Sequence, residues 1–417
     1  MTIRILSLLL GIFAFSPALQ AEGEWAQFRG DRGQGQVNAQ NLPVQFGETE
    51  NLAWKTEVPG VGWSSPSISG NEIWLTTAVK DEAAEQISLR AICVNAQTGT
   101  LETDLELFRI PGAEKIHADN SFASPTPVIG ESQVICHFGT YGTAGIDRKE
   151  RKVTWSREDY HVKHQGGPGS SPVPYGQNVI LTYDGADEQF VVAVKQSTGE
   201  EVWKVSRSAP LREAPDTHRA FATPAIWTVD GKDLLISPGP DQVHAYDPAT
   251  GAEVWHVRYT GFSNVPVPVF NEKHVFVCTG FYETEILALT PGGSGDVGET
   301  HVSWRYGRSV STVPSPILVG NQVFSINEEG LAVCLDAETG EVLGRRRMNG
   351  AYSASPISWA GKLYFCEESG RITVVEATPE MPTVQVNRVE GELKASPAVR
   401  QDDLIIRTST HVYCFRQ

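Results

Sequence analysis

Three short loops concentrate the side chains able to do chemistry: Lys115-Ile-His117-Ala-Asp119-Asn120, Asp159-Tyr-His161-Val-Lys163-His164-Gln165 and Asp216-Thr-His218-Arg219. Imidazoles that titrate near neutral pH, a carboxylate, two side-chain amides and a guanidinium can bind an ion or orient a polar ligand. Three residues before neighbouring prolines stand Trp63, Phe122 and Phe221, with Phe262 and Tyr352 one position further back from theirs, flat faces on which a ring could stack. The competing reading is structural, with polar loops bonding to one another to set spacing and aromatics plugging a narrow channel. Elsewhere the chemistry thins out. No serine, histidine and aspartate stand in an assignable triad order, no paired acids stand out, and the other carboxylates read as solvated surface. The histidines are all the sequence offers toward a hydrolase acting on a polymer.

What positions these loops is a repeat. Small residues followed by proline, an alternating strand, a Gly or Asn turn and a second strand recur at Pro66, Pro125, Pro172, Pro224, Pro266, Pro316, Pro356 and Pro397. A third strand then ends in an Asx-x-x-Thr-Gly turn, best formed at Asp247-Pro-Ala-Thr250-Gly251. There the aspartate bonds to nearby N–H groups, proline fixes φ, and glycine takes the left-handed conformation. A fourth strand carries Trp155, Trp203, Trp255 or Trp304, large enough to dock in a neighbouring groove. Four strands every roughly 40 to 60 residues make a propeller blade. The last copy stops one strand short at Gln417, while Leu52-Ala-Trp54-Lys-Thr-Glu57 is an orphan strand before the first anchor. Pairing the two closes the ring and covers two edges that would otherwise invite aggregation. The expectation is all-β: an eight-bladed propeller of four-stranded antiparallel blades over 50–417, its last blade closed by an N-terminal strand. Seven blades is the alternative if one anchor belongs to a decorated loop.

Composition agrees with many short strands and turns, since 39 Gly and 25 Pro accompany 40% hydrophobic residues and long helical periodicity is missing. Residues 1–21, with Arg4 before the apolar run Ile5 to Phe15 and small residues up to Ala21, read as a secretory signal peptide too short to span a membrane. Residues 22–49 form a Gly-rich N-terminal segment. The mature chain is expected to be exported, periplasmic or extracellular, without a membrane anchor, and monomeric. A formal charge of −16 argues against nucleic acid as a partner. The six cysteines all sit inside apolar strands, several where related repeats have alanine, so they read as buried free thiols, and no pair has the spacing of a zinc site.

Ala245-Tyr-Asp247-Pro-Ala-Thr250-Gly251-Ala-Glu-Val-Trp255 fits the Ala-x-Asp-x-x-Thr-Gly-x-x-x-Trp motif of the pyrroloquinoline quinone (PQQ) repeat family without a mismatch, and the chain resembles that family over nearly all of 50–417. Other copies are degenerate: Lys195 and Asn95 replace the aspartate, and Leu343 stands where tryptophan is expected. The opening Trp25-Ala-Gln-Phe-Arg29-Gly30 looks like the start of secreted bacterial members. The resemblance implies the propeller fold and two kinds of activity. Quinoprotein alcohol dehydrogenases bind PQQ and calcium in the funnel, with an aspartate base and often an adjacent cysteine pair, which is missing here. The outer-membrane assembly lipoprotein BamB is similar in architecture and is a scaffold without a cofactor. The leading expectation is therefore a non-catalytic binding or scaffold module for a protein, glycan or small ligand, with no cofactor. The alternative is a PQQ-dependent oxidoreductase with a divergent site. The ligand-binding candidates are His117, Asp119, Asn120, His164, Gln165, His218 and Arg219, walled by Trp63, Phe122 and Phe221. No catalytic residue or metal ligand is assigned.

Overall fold

A computed structural model describes residues 25–112, 114–208 and 210–417 of the 417-residue chain; the expected signal peptide lies outside the described residues. Eight sheets follow one another along the chain, seven of four strands and one of five, with a separate two-stranded ribbon. Successive blades begin just after the successive anchor prolines, and the inner strand of blade 1 touches those of blades 8 and 2, as that of blade 6 touches those of blades 5 and 7. Ring closure is as expected. Leu52–Glu57 pairs antiparallel with His411–Phe415, Trp54 opposite Cys414 and Thr56 opposite Val412, which completes blade 8.

The turn motif acts as a fastener between blades. In blade 4 the Asp247 carboxylate accepts from the Ala249 N–H at 2.8 Å, the Gly251 N–H donates to the Asp247 carbonyl at 2.8 Å, and Gly251 sits at φ 73°. A Cβ there would lie 2.5 Å from the ring of Trp203, which belongs to the preceding blade. Trp203 packs on the turn and donates its indole N–H to the Pro248 carbonyl at 3.2 Å. Glycine is thus required twice, for its backbone conformation and for the tryptophan lying on it. Trp54, Trp155 and Trp304 repeat the arrangement on Gly99, Gly199 and Gly340, donating to the carbonyls of Ala96, Gln196 and Ala337.

A second fastener runs round the inner ring as a belt of hydroxyls beside the anchor prolines. The Ser65 N–H donates to Thr126 Oγ1 (2.9 Å), Thr126 to Ser171 Oγ (3.0 Å) and Ser171 to Thr223 Oγ1 (2.8 Å). Beyond blade 5 the pattern resumes: Val267 to Ser315 (3.0 Å), Ser315 to Ser355 (2.9 Å), Ser355 to Ser396 (2.9 Å) and Ser396 back to Ser65 (3.0 Å). These bonds satisfy backbone donors in the crowded centre of the ring, where an unpaired N–H would be costly. Between blades 4 and 5 the belt is broken, because Val265 stands where a hydroxyl is needed.

The N-terminal segment is bound to the ring. Trp25 exchanges backbone bonds with Ile68 of blade 1, Gly35 and Val37 bond with Ser358 of blade 7, and Gln34 Oε1 accepts from the Phe270 N–H of blade 5. These contacts lie further along the inner strands than the anchor prolines, so residues 25–37 cross the channel beneath its mouth, and residues 39–49 run on against blades 7 and 8 as far as the outer strand that carries Asn387 and Arg388. All six cysteines are free and buried. Burial pushes the thiols of Cys93, Cys278, Cys334 and Cys414 up to about 12, which leaves them protonated and inert at neutral pH.

Candidate functional site

The segments before the eight anchor prolines converge on one cavity of about 840 Å³ at the mouth of the channel. Every blade lends it side chains, and Phe28 of the N-terminal segment lines it as well. Because the small residue before each proline keeps the inner strands close, the larger side chains two or three positions upstream stand at the wall.

Seven of the ten sequence-derived candidates line this cavity: Trp63, His117, Asp119, Asn120, Gln165, Arg219 and Phe221. Trp63 and Phe221 line an open space and do not plug it. His117 is exposed, its Nδ1 3.5 Å from Asp119 Oδ2. Asn120 is committed to the scaffold: its amide donates to the carbonyls of Gly166 (2.7 Å) and Pro168 (3.0 Å), and its oxygen accepts from the Ser121 N–H (2.8 Å) and the Ser124 hydroxyl (2.6 Å). Arg219 is held by the Gln165 amide oxygen and the Asp216 carbonyl, donates to Ser263 Oγ at 3.1 Å, and lies 5.2 Å over the Phe262 ring. Partial burial lowers its pKa, with Asp216 opposing that effect.

The other three candidates are placed elsewhere. His164 is turned into blade 2, where its Nε2 accepts from the Thr140 N–H at 3.4 Å and its ring meets Tyr141 edge-on. Burial drops its pKa to about 4, so it stays neutral near pH 7. His218 bonds through Nε2 to the Arg212 carbonyl at 2.7 Å. Phe122 packs edge-on against Tyr141 and joins the blade 1–2 core. In each case the residue sits in the right loop with its side chain turned away from the mouth.

Several wall residues were absent from the sequence-derived set. Lys394 lies 5.4 Å over the Trp63 ring; its ammonium pairs with Glu392 of its own segment at 3.0 Å and also faces Asp119 Oδ1 at 3.9 Å and Glu368 Oε2 at 4.0 Å, so blades 8, 2 and 7 meet in one charge cluster. Glu328 and Glu368 occupy the same place in blades 6 and 7, in Asn327-Glu-Glu-Gly330 and Glu367-Glu-Ser-Gly370. That repeated acidic turn is the signal that could have found them. Phe262 and Phe281 complete the wall, with the neighbouring Tyr282 exposed at 70%. Cations at blades 4 and 8 thus stand across the mouth from each other, with acids at blades 2, 6 and 7 and aromatics at blades 1, 4 and 5. The arrangement can clamp a flat polar molecule and read its charge.

Residues 187–417 match the family model described as outer membrane protein assembly factor BamB. The chain belongs to that family of PQQ-like propellers. Among solved structures it is similar to BamB from Moraxella catarrhalis, at TM-score 0.59 and 12% identity, over 87% of this chain and 99% of that one. It is also similar to the quinohemoprotein alcohol dehydrogenase from Comamonas testosteroni, at TM-score 0.65 and 10% identity, over 94% and 80% of the two chains. A europium-containing methanol dehydrogenase matches at TM-score 0.63 and 10% identity, over 93% and 90%. Identities this low carry the fold alone. No curated protein matches the chain.

Proposed function

We propose that the protein is an exported, non-catalytic binding module whose funnel holds a ligand with flat apolar faces and charged or hydroxyl groups, presented by a protein, a glycan or a small molecule. The observation that carries this reading is the cavity of about 840 Å³ walled by Trp63, Phe221 and Phe262 and edged by Arg219, Lys394, Glu328 and Glu368. That volume suits a single extended chain or a few rings, and concave sites with aromatic walls and a few placed polar groups are built for binding. Membership of a family named for an assembly factor supports a protein among the possible ligands. Export is supported by the composition of residues 1–21. Among the described residues no helix is long and apolar enough to cross a membrane.

The alternative, a quinoprotein oxidoreductase, draws on the same volume and aromatic walls, which would admit a three-ring planar quinone. The carboxylates of the funnel lend the accompanying calcium little support. One oxygen of Glu328 is taken up by the N–H groups of Thr312 and Val313, both at 2.6 Å, and by the Thr312 hydroxyl at 2.9 Å. Among the described residues no three imidazole, thiol or carboxylate ligand atoms gather in the funnel.

Two measurements separate the readings. Purified protein loaded with PQQ and calcium is expected to give no dye-linked alcohol oxidation, and clear turnover would replace this proposal with the alternative. Peptide and glycan arrays probed with the protein are expected to yield a binder whose affinity falls about tenfold or more in Phe221→Ala, the loss of roughly 1.4 kcal/mol of stacking and burial. Binding indifferent to Phe221→Ala and Arg219→Ala would move the site away from the funnel.

A further inference from the structure

Away from the funnel, blade 4 assembles a group of side chains that its neighbours lack. In its outer half, Gln242–Tyr246 pairs with Glu253–Arg258, His244 opposite His256 and Tyr246 opposite Glu253. Residues three apart on a strand normally face opposite ways. Here a bulge after Ala245 leaves Val254 as the extra residue, so Glu253 and His256 come to share the face that carries His244. One ligand atom from each of His244, Glu253 and His256 can be chosen so that all lie within 4.8 Å of one another. Glu253 Oε1 is 2.7 Å from His256 Nδ1, and Glu253 Oε2 is 3.7 Å from His244 Nε2.

The same bulge occurs in other blades with different residues on it. The position of His244 is filled there by Ile92, Ala144, Val192, Leu287, Val333 or Thr373. Those are core-filling residues, and an imidazole of zero exposure in their place needs a reason that packing does not supply. His244 Nδ1 has no hydrogen-bond partner, while its Nε2 faces Ser208 Oγ at 3.3 Å.

A second feature converges on the same place. The stretch between the third and fourth strands of blade 5 reaches across so that Gly295–Asp296 adds a parallel fifth strand to blade 4, His256 in register with Asp296. Asp296 Oδ2 then stands 4.0 Å from His256 Nε2, on the side of the ring away from Glu253. At this distance Asp296 makes no hydrogen bond to His256, but it stands on the far nitrogen where a closer carboxylate would fix a metal-bound tautomer. Asp296 is exposed and His256 partly so, which leaves a path from solvent.

We infer that His244 Nε2, the Glu253 carboxylate and His256 Nδ1 form a binding site for a divalent transition-metal ion of the zinc class, with Asp296 orienting His256. Two imidazoles and a carboxylate are a donor set for such ions and leave a coordination position for water or for Ser208 Oγ. On binding, the proton that His256 Nδ1 shares with Glu253 is carried on Nε2, facing Asp296. The site lies on the blade and not in the funnel, so it is independent of the proposed ligand.

The test uses the full mature chain, stripped with a chelator. Zinc titrated calorimetrically is expected to bind at one ion per chain with a dissociation constant of about 1 μM or below, and Co²⁺ is expected to give visible bands of four- or five-coordinate intensity. Blade 5 supplies the replacements that this register tolerates: Glu253→Val, His256→Arg and His244→Leu, after Val302, Arg305 and Leu287. Each is expected to abolish the Co²⁺ bands, Asp296→Asn is expected to weaken zinc roughly tenfold, and His161→Ala is expected to change nothing. If His244→Leu fails to fold, the partly exposed His256→Arg decides. The proposal is overturned if the folded wild-type chain shows no saturable binding, or if His256→Arg and Glu253→Val bind as the wild type does.

Discussion

The junction between blades 3 and 4 and the junction between blades 4 and 5 face each other across the same sheet and are built differently. At the first, Trp203 lies on Gly251, the Ser171 N–H reaches Thr223 Oγ1, and a buried ion pair adds a third tie. There Arg207 chelates both oxygens of Asp184 at 2.6 and 2.8 Å and donates to the Ser237 carbonyl and hydroxyl of blade 4. At the second junction Val265 interrupts the belt, and blade 5 has no Thr-Gly turn to receive Trp255, whose indole N–H is buried without a partner. Substitutes hold it together. Gly295–Asp296 joins blade 4 as a fifth strand, and the Phe221 and Ser263 N–H groups donate to the carbonyls of Asn264 and Arg219. The difference teaches where chemistry can settle in a repeat protein. Positions freed from the standard fasteners carry the aromatic lip of Phe262, Phe281 and Tyr282, whereas the His244, Glu253 and His256 group lies on the face of blade 4 turned to blade 3, where His244 meets Ser208.

The largest effect that would break this contrast is at the regular junction. Asp184→Ala leaves the Arg207 charge buried and unpaired, and is expected to cost about 3–5 kcal/mol in urea denaturation. A double substitution of Asp184→Leu with Arg207→Met is expected to recover most of that loss, since the penalty arises from the orphaned charge. Near-neutral behaviour of Asp184→Ala would mean that the pair contributes nothing to blade docking.

The tryptophans sharpen the comparison at a smaller scale. Trp304→Phe removes a hydrogen bond to the Ala337 carbonyl at 3.2 Å, whereas Trp255→Phe removes a buried donor that has no partner. Both lose the same volume, so Trp304→Phe is expected to be the more destabilising by about 1 kcal/mol. Equal midpoints for the two variants would show that the indole bond is not what the fastener supplies.

The regular parts of the molecule were legible in the sequence, because one physical requirement repeated eight times leaves eight copies of its signature. The anchor prolines marked the start of each inner strand, and the missing last strand together with Leu52–Glu57 gave away the closure. The irregular parts were not. Whether His164 and His218 face the mouth depends on the local path of two loops, which types and spacing do not encode. Lys394 lay in a plain stretch before Pro397, and only the ring brings it to Asp119. The cluster on blade 4 was hidden because Glu253 and His256 have the wrong spacing for one strand face unless Val254 is known to be a bulge. Phe28 was read as part of a family opening, and its place in the wall of the mouth depends on a segment that crosses beneath all of this.

The smallest effect tests whether the broken belt is itself a choice. Val265→Thr keeps the shape of the side chain and offers an oxygen where the other blades have one, in reach of the pre-proline donor of blade 4 if the register of the belt holds there. The reverse change is available at a regular junction. Ser355→Ala would strand the Ser315 N–H, which donates to Ser355 Oγ at 2.9 Å, and is expected to cost about 1–3 kcal/mol. Val265→Thr is expected to gain about 0.5–1 kcal/mol in the same assay. A gain would mean that stability is available at this junction and is not used, as expected where a mouth must admit a ligand. A loss would mean that the backbone bonds of Phe221 and Ser263 have already set a spacing into which the hydroxyl does not fit.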